Sequence, residues 1–327
     1  MLLCEAVSVV GAVLMMCRLT PSGRVAIAGS PIKSGVKVKK LTYQCLLVAF
    51  LTVLCHPLSA QQGATAPAKK IRVLILTGSS DWSHPWQGTA PFLQGALMNT
   101  GRFDVKLEEE VVGITAATLA NYDVLINYYY GPRWGEVTEH AVEEFLKSGH
   151  GMVGIHGVTY GPFFGQAGGS AKEPRRMEGE PWAAYSDMLG MTWTIDNIGH
   201  AKRHVFVVQW TDQEHPLSHG LPPTFVANDE LYHKIELKPN AHVLATARDL
   251  PVAEKGTGKD EPVVWTVPYG QGRVVMTVLG HDLLAMSQPG FLDVLVRGTE
   301  WAATGSVESG TPVMAPPTSL PATSSSH

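Results

Sequence analysis

A chain of 327 residues, 45% hydrophobic and 17% charged, has enough apolar material for a real core and excludes bulk disorder. Its formal charge of −4 hides an asymmetry: residues 1–60 hold six of the 25 Lys and Arg but one of the 29 acids, leaving 19 bases against 28 acids, a net of −9. That balance disfavours nucleic acid or anionic lipid as partner, and no basic block reopens the question.

The chain begins with a leader. Lys37, Lys39 and Lys40 precede an apolar segment, residues 41–55, and Pro57-Leu58-Ser59-Ala60 follows before Gln61-Gln62-Gly63. Basic region, short apolar region and small residue, in that order, predict a secretory signal over about residues 36–60, with cleavage near Ala60 and delivery to the periplasm or the exterior. The apolar stretch is short for a membrane span, so an uncleaved anchor is the lesser alternative and no stable membrane insertion is expected after cleavage. Residues upstream of 36 do not fit in front of such a signal, and translation is expected to start near Val36 or Val38. Cys4, Cys17, Cys45 and Cys55 all lie in this leader. The mature chain therefore has no disulfide, thiolate ligand or cysteine nucleophile.

Residues 61–70 form an Ala/Pro/Lys linker to one domain over 71–304. Residues 71–77 read as a strand covered on both faces, 78–86 as a loop and 89–99 as a helix stopped by Gly101. Residues 103–107 and 122–128 are the next strands, and 136–147 is an amphipathic helix with Val137, Ala141, Val142, Phe145 and Leu146 on one stripe. Then comes the apolar run Gly151-Met152-Val153-Gly154-Ile155, ending at His156 between Ile155 and Gly157. It predicts a buried strand with a sharp turn that raises one side chain at the sheet rim. Residues 159–179, rich in Gly, Pro and charge, read as a long loop or lid, and 182–189 as a short helix. Strands are expected at 192–195, 205–209 and 243–246, with polar loops at 212–223 and 227–234. Residues 262–267 and 273–279 form a hairpin, 291–302 the closing helix and 305–327 a disordered tail. Strand and helix in this rhythm predict an α/β fold with a mainly parallel central sheet.

Ligands of open α/β sheets gather at the carboxyl ends of strands, and three histidines fall at such ends: His84, His156 and His281. Each alone reads most simply as a hydrogen-bonded structural residue, but three at three strand ends point to a shared site. The segment Asn228-Asp229-Glu230-Leu231-Tyr232-His233 offers a carboxylate base, a hydroxyl and an imidazole, against the plainer reading of a solvated turn. His84, His156, His233 and His281 are the candidate ligands of a divalent metal ion, neutral imidazoles beside a carboxylate being a plausible donor set. His200, Tyr232, Trp82, Tyr160 and Trp182 are candidate substrate contacts, the aromatic faces for stacking on sugar rings; a hairpin cap for His200 and core packing for the tryptophans stay open. No Rossmann glycine fingerprint follows the first strand, and a serine hydrolase would lack its nucleophile at the turn.

Together, Val153-Gly154-Ile155-His156, His215-Pro216-Leu217-Ser218-His219-Gly220-Leu221-Pro222, Asp229-Glu230-Leu231-Tyr232-His233, Pro262-Val263-Val264-Trp265 and the stretch from Tyr269-Gly270-Gln271-Gly272 to Gly280-His281-Asp282 resemble the ThuA-like (trehalose utilisation) family over roughly residues 70–303. The resemblance implies a flavodoxin-like, class I glutamine amidotransferase-like three-layer sandwich. Histidine stands where the amidotransferases carry cysteine, so glutaminase activity is not expected. It also implies carbohydrate catabolism, on disaccharides or 3-keto-glycosides supplied by a partner sugar 3-dehydrogenase. His156, Glu230 and His281 are the expected catalytic groups, in hydrolase or lyase chemistry run by acid/base or metal-assisted cleavage. A non-catalytic carbohydrate-binding or scaffold domain is the alternative.

Overall fold

The computed structural model describes residues 69–79, 84–159, 161–165, 179–192, 199–252 and 256–308. The expected signal, Trp82, Tyr160 and the tail from 309 lie outside these. No helix among the described residues is long and apolar enough to cross a membrane.

The apolar runs become the sheet. Strands β1 (Ile71–Leu76), β2 (Phe103–Glu108), β3 (Val124–Asn127) and β4 (Gly151–Ile155) pair in parallel, and β13 (Gly272–Thr277) joins them beside β4. Their order, β2-β1-β3-β4-β13, is that of flavodoxin-like sheets, whose connections reverse between β1 and β3. β12 (Asp260–Tyr269) pairs antiparallel with β13 through the expected hairpin. The sheet then continues through β11 (His242–Arg248), β7 (His204–Trp210) and β8 (Thr224–Asp229) to nine strands, among which only β12 and β7 run against the rest. The two-residue strands β5 (Met191–Thr192), β6 (Gly199–His200), β9 (Tyr232–His233) and β10 (Glu236–Leu237) pair outside it.

Helices cover both faces. α1 (Trp86–Met98) and the closing α6 (Pro289–Thr304) touch each other on one side; α3 (Glu136–Lys147) and α4 (Ala183–Leu189) lie on the other, where Trp265 of β12 donates to the Leu189 carbonyl at 2.8 Å. α6 rests directly on β4: a Cβ on Gly151 would stand 2.3 Å from the Ala302 carbonyl oxygen, so only glycine allows that approach. Val137, expected on the buried stripe of α3, is exposed, and Thr138 takes the inward position, binding the Val111 carbonyl and the N–H groups of Gly113 and Ile114.

Two expectations about local structure change. The loop expected from residue 227 is still strand to Asp229, because β8 is an edge strand whose alternating exposure lets polar residues occupy it. Two helices of four residues, α2 (Ala116–Leu119) and α5 (Leu283–Met286), were not foreseen. Each is capped by a side chain, Thr115 accepting from the Thr118 N–H and Asp282 from that of Ala285.

The antiparallel wing bends back toward α6. The ring of Phe225 on β8 fills the space that a side chain on Gly290 would need. Behind it, buried Arg297 donates to the carbonyls of Pro216, Leu217 and His219, tying the loop after β7 to the same helix. This return carries the end of β8 to the end of β13, four places away in the sheet order.

Candidate functional site

His156 follows β4 with φ of +49°, a left-handed conformation that costs an ordinary residue roughly 1–2 kcal/mol. The turn after it, His156–Thr159, is held by the buried Tyr185, whose hydroxyl donates to the Val158 carbonyl at 2.8 Å and accepts from Asn127 Nδ2 at 3.0 Å. The sharp turn expected from the sequence is present. The imidazole it raises is wholly buried, and its Nδ1 lies 2.6 Å from the Val278 carbonyl oxygen. A carbonyl only accepts, so Nδ1 carries the proton and Nε2 presents its lone pair. Burial pushes the pKa of His156 well below its ordinary value, and the neighbouring His84 and His281 push in the same direction.

Three imidazoles meet around that lone pair. His281, in the turn after β13, places Nδ1 3.1 Å from His84 Nε2 and 3.3 Å from His156 Nε2. One donor atom from each of the three lies within 4.8 Å of the other two. Glu230 adds a carboxylate oxygen 3.3 Å from His281 Nδ1 and 3.9 Å from His156 Nε2. Burial raises the pKa of Glu230, opposed by His281 and His84, and burial lowers that of His281, opposed by Glu230. The Tyr232 hydroxyl stands 3.2 Å from His156 Nε2, and the half-exposed His200 places Nδ1 3.5 Å from Glu230.

Ligand atoms held about 2.0–2.1 Å from a tetrahedral ion sit roughly 3.3–3.4 Å apart, a spacing close to the contacts of His281 but shorter than the 3.9 Å between His156 and Glu230. The three imidazole nitrogens could hold a zinc-like or other divalent transition metal ion, with the Glu230 carboxylate beside them. The Nδ1–H bond of His156 to the Val278 carbonyl is the outer contact that aims such a ligand.

Of the residues singled out in the sequence, His84, His156, His200, Glu230, Tyr232 and His281 come together. His233 does not: successive residues of β9 face opposite ways, so Tyr232 turns to His156 while His233 turns to Asp249, with Nδ1 3.2 Å from its Oδ2. Trp182 is not a rim residue either. Its Nε1–H donates to Glu143 at 2.7 Å, which lets the whole ring pack among Trp134, Phe163 and Tyr185 at 5% exposure.

Tyr130 was missed, and Asp229 was given no role of its own within the 228–233 segment. Tyr130, after β3, stands 6.4 Å from His84 by ring centroids and lines a small recess together with Tyr128, Tyr129, Ser79, His84 and Ile155. The expected strand stops at Tyr128, and nothing in the sequence sends the next two tyrosines to the site. Asp229 is buried beneath Glu230 and accepts three backbone N–H groups; burial nonetheless pushes its pKa up to about 7.

Imidazoles and a carboxylate at the strand ends of a flavodoxin-like sheet, with no cysteine among the described residues, make up the candidate site. The chain belongs to the ThuA (trehalose utilisation) family, whose model matches residues 72–302. Among solved structures it is similar to a ThuA-like protein from Parabacteroides merdae ATCC 43184, at 28% identity and TM-score 0.61, over 73% of this chain and 92% of that one. It shares its fold with a ThuA-like protein from Bacteroides uniformis ATCC 8492, at 19% identity and TM-score 0.57, over 74% and 96%. None of the curated proteins matches. The family gives the protein a carbohydrate-related role.

Proposed function

We propose that the protein is a carbohydrate-processing enzyme that cleaves 3-keto-glycosides by acid/base chemistry beside a divalent metal ion held by His84, His156 and His281. The observation that carries this reading is the convergence of His84, His156 and Glu230 on His281 Nδ1, each within 3.1–3.3 Å of it. The bound ion would supply Lewis acidity toward a sugar oxygen.

A ketone at C3 acidifies the proton on C2. Glu230, which faces the site with its pKa raised by burial, is placed to take that proton. The C2–H electron pair becomes the C1–C2 double bond as the C1–O bond breaks, and the leaving oxygen takes a proton from an acid of the site, a role assigned here to half-exposed His200. Water then adds its oxygen to C1, one of its protons restoring that acid, and Glu230 returns its proton to C2, so that the net change is hydrolysis. Tyr130 offers the sugar an aromatic wall next to His84. On the same reading the protein works after export, downstream of a sugar 3-dehydrogenase that supplies the ketone.

The test is a panel of 3-keto-glycosides given to protein purified without chelator, with metal analysis of the same sample and divalent metals added back. Glu230→Gln is expected to lower turnover roughly 10²- to 10⁴-fold while the sugar still binds. No consumption of any keto-sugar under any metal condition sinks the reaction. Binding that Glu230→Gln does not alter, without turnover, makes the protein a carbohydrate-binding module.

A further inference from the structure

Asp229 sits beneath the site, 1% exposed. Its Oδ1 accepts the backbone N–H of Glu230 at 2.8 Å and of His281 at 3.3 Å, and its Oδ2 accepts that of Gly280 at 2.6 Å. These amides belong to two segments that do not pair in the sheet, the turn after β8 and the turn after β13. One segment carries Glu230 and the other His281, and the two side chains face each other at 3.3 Å. A buried carboxyl group whose two oxygens accept three N–H groups ties together the segments that supply them, since each of those amides would otherwise be left bare in the interior.

We infer that Asp229 is a positioning residue: its carboxylate straps the backbone of Glu230 to that of Gly280-His281, and this strap sets the Glu230 carboxylate against the three imidazoles. Neighbouring contacts fit a junction built to hold one geometry. Asp282, next to His281, is gripped by both guanidinium nitrogens of Arg203 at 2.5 and 2.6 Å and caps α5. Gly280 adopts φ of +110°, and a Cβ there would stand 2.9 Å from both Ile155 and Phe291, so the turn cannot relax by shifting toward β4 or α6. An amide in place of the carboxylate keeps the size but turns an NH₂ group toward at least one backbone N–H, opening the strap at that point.

The matched control is Asp249, equally buried, which accepts the Thr257 N–H at 2.6 Å and touches none of the site residues except through His233. Wild type, Asp229→Asn and Asp249→Asn are compared twice. In the metal-free proteins the imidazole NMR signals of His281 and His84 are followed, with those of His215 and His242 as references. Cobalt(II) binding is then titrated by visible absorption. Asp229→Asn is expected to move the His281 and His84 signals, leave the references in place and weaken cobalt binding roughly 10- to 100-fold, the usual cost of losing an outer-shell partner. Asp249→Asn is expected to do neither. Unmoved His281 signals in folded Asp229→Asn, or an equal cobalt loss in Asp249→Asn, would overturn the inference. The cobalt arm rests on the proposed cation centre: if wild type takes up no cobalt, that centre falls, while the metal-free signals still decide the role of Asp229. Should Asp229→Asn not fold, Asp229→Glu keeps the charge one methylene further out, and the same signals are expected to move; unmoved signals there overturn the inference equally.

Discussion

Tyr185→Phe removes one oxygen from the interior and tests how the turn at His156 is held. The hydroxyl is fully buried and keeps two partners, the Val158 carbonyl and the Asn127 amide. Phenylalanine fills the same ring space against Phe163 and Trp182, so packing is retained and the change isolates the hydrogen bonds. Each partner left bare in the interior costs about 1–3 kcal/mol. Two of them predict a loss of about 2–6 kcal/mol, a large fraction of the 5–15 kcal/mol typical of a folded domain. For a domain of this size that lowers Tm by roughly 5–20 °C. Urea unfolding followed by tryptophan fluorescence, with calorimetry for Tm, measures both. The cycle with Asn127→Leu sharpens the result: if Asn127 and Tyr185 act through one bond, the double variant is expected to lose clearly less than the sum of the singles. A loss under about 1 kcal/mol for Tyr185→Phe, or full additivity with Asn127→Leu, would refute the claim that this pair holds the turn.

Two further outcomes follow from buried groups away from the site. Trp182→Ala is expected to cost about 3–5 kcal/mol of stability, as loss of a large buried aromatic does, while leaving sugar binding by the folded fraction unchanged; a selective loss of binding would restore the stacking role. Asp293 on α6 has its carboxyl raised by burial from 3.8 to about 6, against the pull of Arg297. A raised acid favours the fold in its protonated form, so its contribution is complete below about pH 4 and is lost as pH rises through about 6. On this partly open residue, solvent screening leaves about 1 kcal/mol of that effect. Asp293→Asn should therefore flatten the rise in urea midpoint on acidification from pH 7 to pH 4, and parallel profiles of variant and wild type would count against the assignment.

The central sheet was legible because its strands are buried on both faces and write themselves as apolar runs, as in Val73 to Leu76 and Met152 to Ile155. The histidines were legible for a related reason: His156 stands where such a run stops, and His84 and His281 lie in the loops that follow two others. What escaped is set by contacts distant in sequence. Tyr232 and His233 are equal candidates on paper, and only the alternation of a two-residue strand sends one to His156 and the other to Asp249. Trp182 read as a rim aromatic because nothing local announces that Glu143, on another helix, will satisfy its N–H. β8 was not expected, and its last three residues read as loop, because an edge strand tolerates polar residues. Asp229 read as one acid of a segment offering a base, against a solvated turn, and its anchoring stayed hidden because two of the three amides it binds come from the far end of the domain.

His84 and His281 lie 197 residues apart in the chain, and His156 and His281 lie 125 apart. Such separations make the cluster a late product of folding, because loops of this length close only when the intervening sheet has formed. During synthesis, the nitrogens of His84 and His156 wait for a partner that arrives only just ahead of α6. Anything that grips all three imidazoles therefore binds the finished domain and not its partly folded forms, and its binding energy adds directly to the stability of the native state. The cluster is in that sense a checkpoint on the whole chain: a domain that has lost its closing turn has lost the site before it has lost its core.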